Sequence, residues 1–338
     1  MFNKLILGFL FIFSNILSSP GLSILTYLIF FIYFLFTFRK AKIPKIIYPL
    51  ILLIPIGLLH MNAINYNIIK DLAYFLNPIV VIILGYLIFQ RVDDIDSILT
   101  IAIFCSLILA SYHILNFIFF DFHDARLQDI RGELTRGYFL PIIGIYLLLI
   151  YKNNKNFFLR SNFFKILFFI LLFSSLLISF SRILVISLLI FYFANNNFSF
   201  LKMIKKRAFY LGFLFFLGTI FYISNFTNSD IIHEFSSKFY TMFTETTIGD
   251  YTHKSDINER WRGYETYRAL ITYKNGTFFE HLFGRGFGTL IDLDFKIKLG
   301  EKEFWEIPIL HNGYALLLVK TGIIGLCLYI DFIYKVFI

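Results

Sequence analysis

Charge is scarce in this chain: 16% of its 338 residues are Asp, Glu, Lys or Arg, against 58% hydrophobic. A soluble domain of this size cannot hide so much apolar surface, and a mean hydropathy of +0.73 points to an integral membrane protein. Cysteine is nearly absent, and both Cys105 and Cys327 lie inside apolar runs, which leaves no basis for a disulfide framework or a thiolate metal site. No His, Asp or Glu cluster has metal-ligand spacing, so neither a metal nor another cofactor is expected. Internal repeats and low-complexity linkers are also missing. Aromatics are plentiful instead, with 46 Phe and 21 Tyr, read as lipid-facing filler and interfacial belts. The net charge of +9 would suit nucleic acid in a soluble protein. Here the basic residues sit in short loops beside apolar runs, where membrane topology accounts for them, and no nucleic-acid partner is expected.

Taken in order, apolar runs fall at about 2–17, 22–38, 46–61, 73–89, 97–120 and 138–151, each long enough or nearly so to span a bilayer. The first resembles a signal peptide, but Pro20 after Ser18-Ser19 makes a poor cleavage site, so it is read as a membrane helix. The block Ile166–Ala194 holds a single charge, Arg182. At 1.5 Å per residue it measures roughly 43 Å, too long for one upright helix and short for two. Basic clusters on both flanks (Lys152 to Lys165, Lys202 to Arg207) favour the same cytoplasmic side. The block is therefore expected to cross twice, with Arg182 at the outer tip of the hairpin. Spans at 208–224 and 309–331 complete an all-α, polytopic membrane helix bundle of about ten spans, one domain over 1–338. The polar stretch 225–308 becomes one large outer-face loop containing short helices.

That stretch holds most of the candidate chemistry. A helix is expected from Asn258 to Lys274, started by a capping box of Asp256 and Glu259. On a 100° wheel Arg260, Tyr264, Tyr267, Leu270 and Ile271 share one face, and Glu265, Arg268 and Thr272 another. Arg260 in the apolar stripe either snorkels or meets an anion, a loop carboxylate or a substrate, and Arg262 faces elsewhere. Next comes Phe283-Gly284-Arg285-Gly286-Phe287-Gly288, where alternate glycines make either a plain turn or a backbone cradle for an anion. His311 follows Pro308 by three residues, placing it in a first helical turn whose positive end disfavours imidazolium. It is either an interfacial anchor or a neutral general base, and Asn312 beside it is placed to orient a substrate. The acidic and basic residues of Asp121–Arg136 are read as pairing with one another.

Three pieces occur in a set order: Ser179-Phe180-Ser181-Arg182, the arginine-bearing helix followed by the glycine motif, and His311-Asn312-Gly313-Tyr314 running into Lys320-Thr321-Gly322-Ile323-Ile324-Gly325-Leu326. Over roughly residues 175–330 this resembles the O-antigen ligase/polymerase superfamily of bacterial envelope glycosyltransferases, in which further helices follow this point. The resemblance implies a multi-pass protein of the cytoplasmic (inner) membrane with its active site on the periplasmic or extracellular side. It implies transfer of a glycan from an undecaprenyl diphosphate-linked donor to a glycan acceptor, with inversion and without metal or nucleotide. By resemblance Arg182 and His311 match catalytic positions, and either Arg260 or Arg262 matches the loop arginine, the wheel favouring Arg260. Tyr264, Arg262, Arg285, Gly286 and Asn312 are the candidate substrate-binding residues. The leading expectation is a repeat-unit polymerase, with membrane lipids and a chain-length regulator as partners. An O-antigen ligase acting on lipid A-core or protein is the close alternative, and a lipid-linked oligosaccharide transporter is the alternative of another class.

Overall fold

The computed structural model describes residues 6–10, 12, 26–32, 44–60, 65–90, 94–119, 139–150, 157–179, 181–194, 245–249, 251, 257, 260–299 and 302–337. The expected span at 208–224, most of those at 2–17 and 22–38, the basic loop 197–207 and Asp121–Arg136 lie outside them. The described residues group into two units, drawn from Met1–Thr26 with Ile88–Phe239 and from Tyr27–Leu87 with Tyr240–Ile338.

In the first unit, α3 (Ile95–Ile118), α4 (Leu140–Ile150), α5 (Asn162–Ile178) and α6 (Arg182–Ala194) pack around Ile103, Ala110, Ile142, Ile145 and Leu172. Asp94 caps α3, accepting from the Asp96 amide at 3.1 Å. Small residues set the helix spacing. A Cβ on Gly144 would lie 2.6 Å from the Ser106 Cβ, and the Ser106 hydroxyl donates to the Leu140 carbonyl at 2.9 Å. Buried His113 meets the Ser175 hydroxyl at 2.9 Å, tying α3 to α5. The long block expected to cross twice does divide, between Ile178 and Arg182, into helices of 17 and 13 residues.

The second unit holds α1 (Tyr48–Leu58), α2 (Tyr66–Phe89), α7 (Trp261–Lys274), α8 (Phe278–Phe283), the antiparallel strands β1 (Ile291–Leu299) and β2 (Lys302–Ile307), and α9 (Gly313–Phe337). The hairpin departs from the all-α expectation, although its signal was there: Ile291, Leu293 and Ile297 alternate with charged residues and are buried. It is irregular at Asp294, which has φ 67. The polar stretch is not a free outer loop in its described part. Tyr264, Ala269, Ile291, Leu293, Ile307 and Leu310 form one core with Ala315, Leu316 and Val319 of α9.

By length and composition, three helices among the described residues are apolar enough to cross a membrane: Tyr66–Phe89, Ile95–Ile118 and Gly313–Val336. This fits a predominantly helical membrane protein; ten spans do not emerge from the described residues. The third is not one straight rod. Gly322 takes φ 66, ψ −167, and the rings of Tyr314 and Tyr329 lie 6.0 Å apart. In a straight helix their Cα atoms would be separated by about 22 Å, beyond the reach of two tyrosine side chains. The chain therefore doubles back at Gly322, making residues 313–321 and 323–337 two arms of a helical hairpin. The expected span at 309–331 is thus interrupted at Gly322, where a glycine in the left-handed region, not a proline, makes the break.

Candidate functional site

The site is built where α7 meets the start of α9. Helix α7 begins at Trp261, with Arg260 as an N-cap that makes no side-chain cap bond. Asp256 and Glu259, expected to form a capping box, lie outside the described residues. A complete capping box forms one helix later: the Thr277 amide donates to Glu280 Oε2 at 2.6 Å, and the Glu280 amide donates to Thr277 Oγ1 at 3.3 Å. Those bonds, with Arg285 adding to them, hold the Glu280 carboxyl below its usual pKa.

The buried side of α7 differs from the expected stripe. Gly263, Tyr264, Glu265 and Ala269 are buried, whereas Tyr267 and Leu270 are exposed. The inward side thus carries Glu265, from the wheel face opposite to the one expected. Its carboxylate is only 4% exposed and takes two bonds from His311: the backbone N–H at 3.2 Å and Nδ1 at 2.7 Å. A carboxylate this buried persists when its oxygens are satisfied. The imidazole itself is 57% exposed, and Nε2 has no partner among the described residues. One ring nitrogen is fixed by the acid, leaving the other for a reactant.

His311 lies outside the helix it was expected to open. Asn312 is the cap, its Oδ1 accepting from the Tyr314 and Ala315 amides at 3.1 and 3.3 Å and its Nδ2 donating to Thr266 Oγ1 at 3.4 Å. Asn312 is thereby committed to starting α9 rather than to a substrate. The Glu265 hydrogen bond raises the His311 pKa above its ordinary value, burial opposes this, Glu265 and Glu245 charges add to it, and the Arg262 charge lowers it. The expected depression by the helix end does not prevail, because a carboxylate in contact outweighs a helix end that starts two residues later.

The charges around His311 are therefore Glu265, Arg262 and Glu245, with Arg262 Nε 3.3 Å from Glu245 Oε1. Arg262, not the wheel's Arg260, is the loop arginine brought to the histidine. Arg260 packs its guanidinium over Gly249 and acts on Tyr251 instead. Tyr264 is core: it is 3% exposed, donates to the Leu293 carbonyl at 2.5 Å, and its phenol is pushed up to about 12, chiefly by burial. Arg182 opens α6 in the other unit, and its side chain lies outside the described residues.

The glycine motif is a wedge. Amides of Arg285 and Gly286 donate to the Val319 and Lys320 carbonyls, satisfying the end of the short arm at the Gly322 break. The Phe287 amide donates to the Gly57 carbonyl at 2.6 Å, and the Gly288 amide donates to Asp71 Oδ2 at 2.7 Å. Three of these amides are taken by backbone carbonyls, Gly286's by that of Lys320, and only Gly288's by a carboxylate, so the Gly286 amide is already occupied. Gly284 (φ 80) and Gly322 (φ 66) abut, where a Cβ on either would lie 2.3 Å from the other segment's backbone. Arg285 bonds Glu280 at 3.3 Å and the Thr272 carbonyl at 3.4 Å.

Sequence reasoning missed Glu265 as the histidine's partner, and it missed Asp71. A carboxylate at the start of one apolar run and Lys320 inside another were the available signal, since lone opposite charges in apolar runs tend to find each other. Comparison of the chain with protein-family models, curated proteins and solved structures gives no match.

Proposed function

We propose that the chain is a metal-independent, inverting glycosyltransferase that polymerises undecaprenyl diphosphate-linked repeat units at the outer face of the cytoplasmic membrane. The observation that carries the reading is the His311–Glu265 pair, a half-exposed imidazole held at 2.7 Å by a buried carboxylate. In this reading His311 Nε2 takes the proton from an acceptor sugar hydroxyl as its oxygen forms the new bond to the anomeric carbon. The bond from that carbon to the diphosphate oxygen breaks, its electron pair leaves with the lipid diphosphate, and the anomeric configuration inverts. General-base assistance of this kind is worth typically ~10²–10⁴ in rate. Arg262 supplies permanent positive charge beside the histidine.

A transporter of lipid-linked oligosaccharide is the second reading. It is favoured by the broken α9 and the buried Lys320–Asp71 pair, features that membrane carriers use. Against it, the carbonyls of Val319 and Lys320 at the break are already occupied by the glycine motif.

The discriminating experiment is replacement of His311 by Gln in the source strain, followed by electrophoresis of surface glycan. Normal membrane abundance with a collapse from the ladder to one repeat unit supports a polymerase; loss of all attached glycan supports a ligase. An unchanged ladder removes His311 from the mechanism.

A further inference from the structure

Helix α7 starts without a side-chain cap from Arg260, so its first-turn amides need acceptors from elsewhere in the chain. A turn at residues 245–249 supplies one: the Gly263 amide donates to the Glu245 carbonyl at 3.0 Å. The turn fits because Gly263 has no side chain; a Cβ there would run into the Thr247 carbonyl oxygen and lie 2.8 Å from the Tyr251 hydroxyl. Tyr251 fastens the turn to the helix, its hydroxyl donating to the Thr247 carbonyl at 3.3 Å and its ring lying 5.0 Å from that of Tyr264 and 5.5 Å from that of Tyr267. The two arginines at the start of α7 are sorted by this turn. Arg260 lies over Gly249, whereas Arg262 brings Nε to 3.3 Å from Glu245 Oε1. Arg262 Nη1 and Nη2 have no partner among the described residues, and the side chain is 34% exposed.

We infer that Glu245 is a positioning residue of the site: its carbonyl helps to start α7, and its carboxylate grips the Arg262 guanidinium by Nε, so that the Nη1–Nη2 edge stays open to an anion beside His311. A guanidinium recognises phosphate oxygens through a planar pair of N–H groups, so the edge it spends on the protein decides which edge is left for a ligand. Without the grip, a long side chain this exposed would share its time among many rotamers. The place also suits Glu245, because a carboxylate beside a helix N-terminus meets the positive end of the dipole. The charges acting on His311 are Glu265 in contact, Arg262 from α7 and Glu245 from the turn, and the last two oppose each other. Service of the open edge to a lipid diphosphate rests on the glycosyltransferase reading; the grip of Glu245 on Arg262 does not.

The test uses the purified full chain in nanodiscs with isotope-labelled histidine rings, and inorganic pyrophosphate as the probe standing for a lipid diphosphate. The His311 ring signals are identified by their loss in His311→Gln. Glu245→Gln keeps the backbone carbonyl and the side-chain shape while removing the carboxylate. Charge alone predicts tighter pyrophosphate binding once an anion is gone; a lost grip on Arg262 predicts the opposite. The expected result is a pyrophosphate-dependent shift of the His311 signals in the wild type, with affinity lower by about 3–10-fold in Glu245→Gln, the size of one net hydrogen bond. The His311 titration in that variant should move to lower pH, since Glu245 raises it and Arg262 lowers it. Gly263→Ala, which pushes the turn off α7 with the carboxylate intact, should weaken pyrophosphate binding as well. No pyrophosphate-dependent shift in the wild type, unchanged or tighter binding in Glu245→Gln, or an unmoved titration overturns the inference. Neither measurement reads glycan transfer, so a failed glycan assay with these results in place would reject the transferase reading and leave the role of Glu245 standing.

Discussion

Lys320 and Asp71, 249 positions apart in the chain, meet as a buried ion pair whose side chains are 0% and 2% exposed. Asp71 also receives the Gly288 amide, and Lys320 also donates to the Thr289 carbonyl at 2.5 Å. One pair thus joins α2, the glycine motif and the short arm of α9. Removing one partner strands a buried charge, so Asp71→Leu and Lys320→Met are each expected to destabilise by about 3–5 kcal/mol. The Asp71→Leu/Lys320→Met double variant should recover most of that loss. Thermal unfolding of the four proteins in one detergent checks the cycle; additive losses would mean the two charges act separately.

The His311–Glu265 pair sets opposite pH trends for stability and activity. Because the folded-state pKa of His311 is raised, the imidazolium–carboxylate pair is fully present below the unfolded histidine pKa of about 6.5 and is lost as pH rises through the folded value. A general base works in the other direction, gaining activity over that same rise. Glu265→Gln removes the anion and should move the acid limb of the rate profile to lower pH, reducing the maximal rate through poorer orientation of the ring. A pH–rate profile of the reconstituted protein in the proposed reaction checks this, and an unmoved acid limb would detach Glu265 from the titration.

Arginine ranking follows from where the side chains lie. If the proposed transferase reading holds, Arg262→Ala should lower glycan polymerisation more than Arg260→Ala, since Arg262 and not Arg260 bears on His311. Arg262→Lys should be nearly as damaging, because lysine retains charge but not the planar fork. Comparing ladder intensity at equal membrane abundance decides the order.

The hairpin of α9 depends on one backbone conformation. Gly322→Ala places a Cβ 2.3 Å from the Leu282 carbonyl oxygen and forces a positive φ on alanine. The strain alone is expected to cost about 1–3 kcal/mol, and the clash adds to it. Gly85, with nothing near its Cβ position, provides the control: Gly85→Ala should be neutral or slightly stabilising. Equal melting temperatures for the two variants would contradict the break at Gly322.

Much of the architecture was fixed by local pattern. Apolar runs near 73–89, 97–120 and 138–151 became helices at Tyr66–Phe89, Ile95–Ile118 and Leu140–Ile150, because backbone satisfaction in an apolar medium leaves a long run little else to be. The division of the 166–194 block and the placing of the Gly-rich and His-Asn-Gly motifs at element ends were legible for similar reasons. The β1 alternation was equally local, yet it was passed over within a stretch read as loop and short helix.

Tertiary structure decided the rest. The inward side of α7 is the one on which Glu265 meets His311, 46 positions away, while Tyr267 and Leu270 stay exposed. Whether Gly322 would sit in a continuous helix or at a reversal depended on amides from Arg285 and Gly286 arriving to take the freed carbonyls. Periodicity reports what a segment prefers against a uniform apolar or aqueous surrounding. It carries no record of a specific distant partner, and at both places such a partner, His311 for Glu265 and the Arg285 and Gly286 amides for the α9 carbonyls, is what the fold brings in.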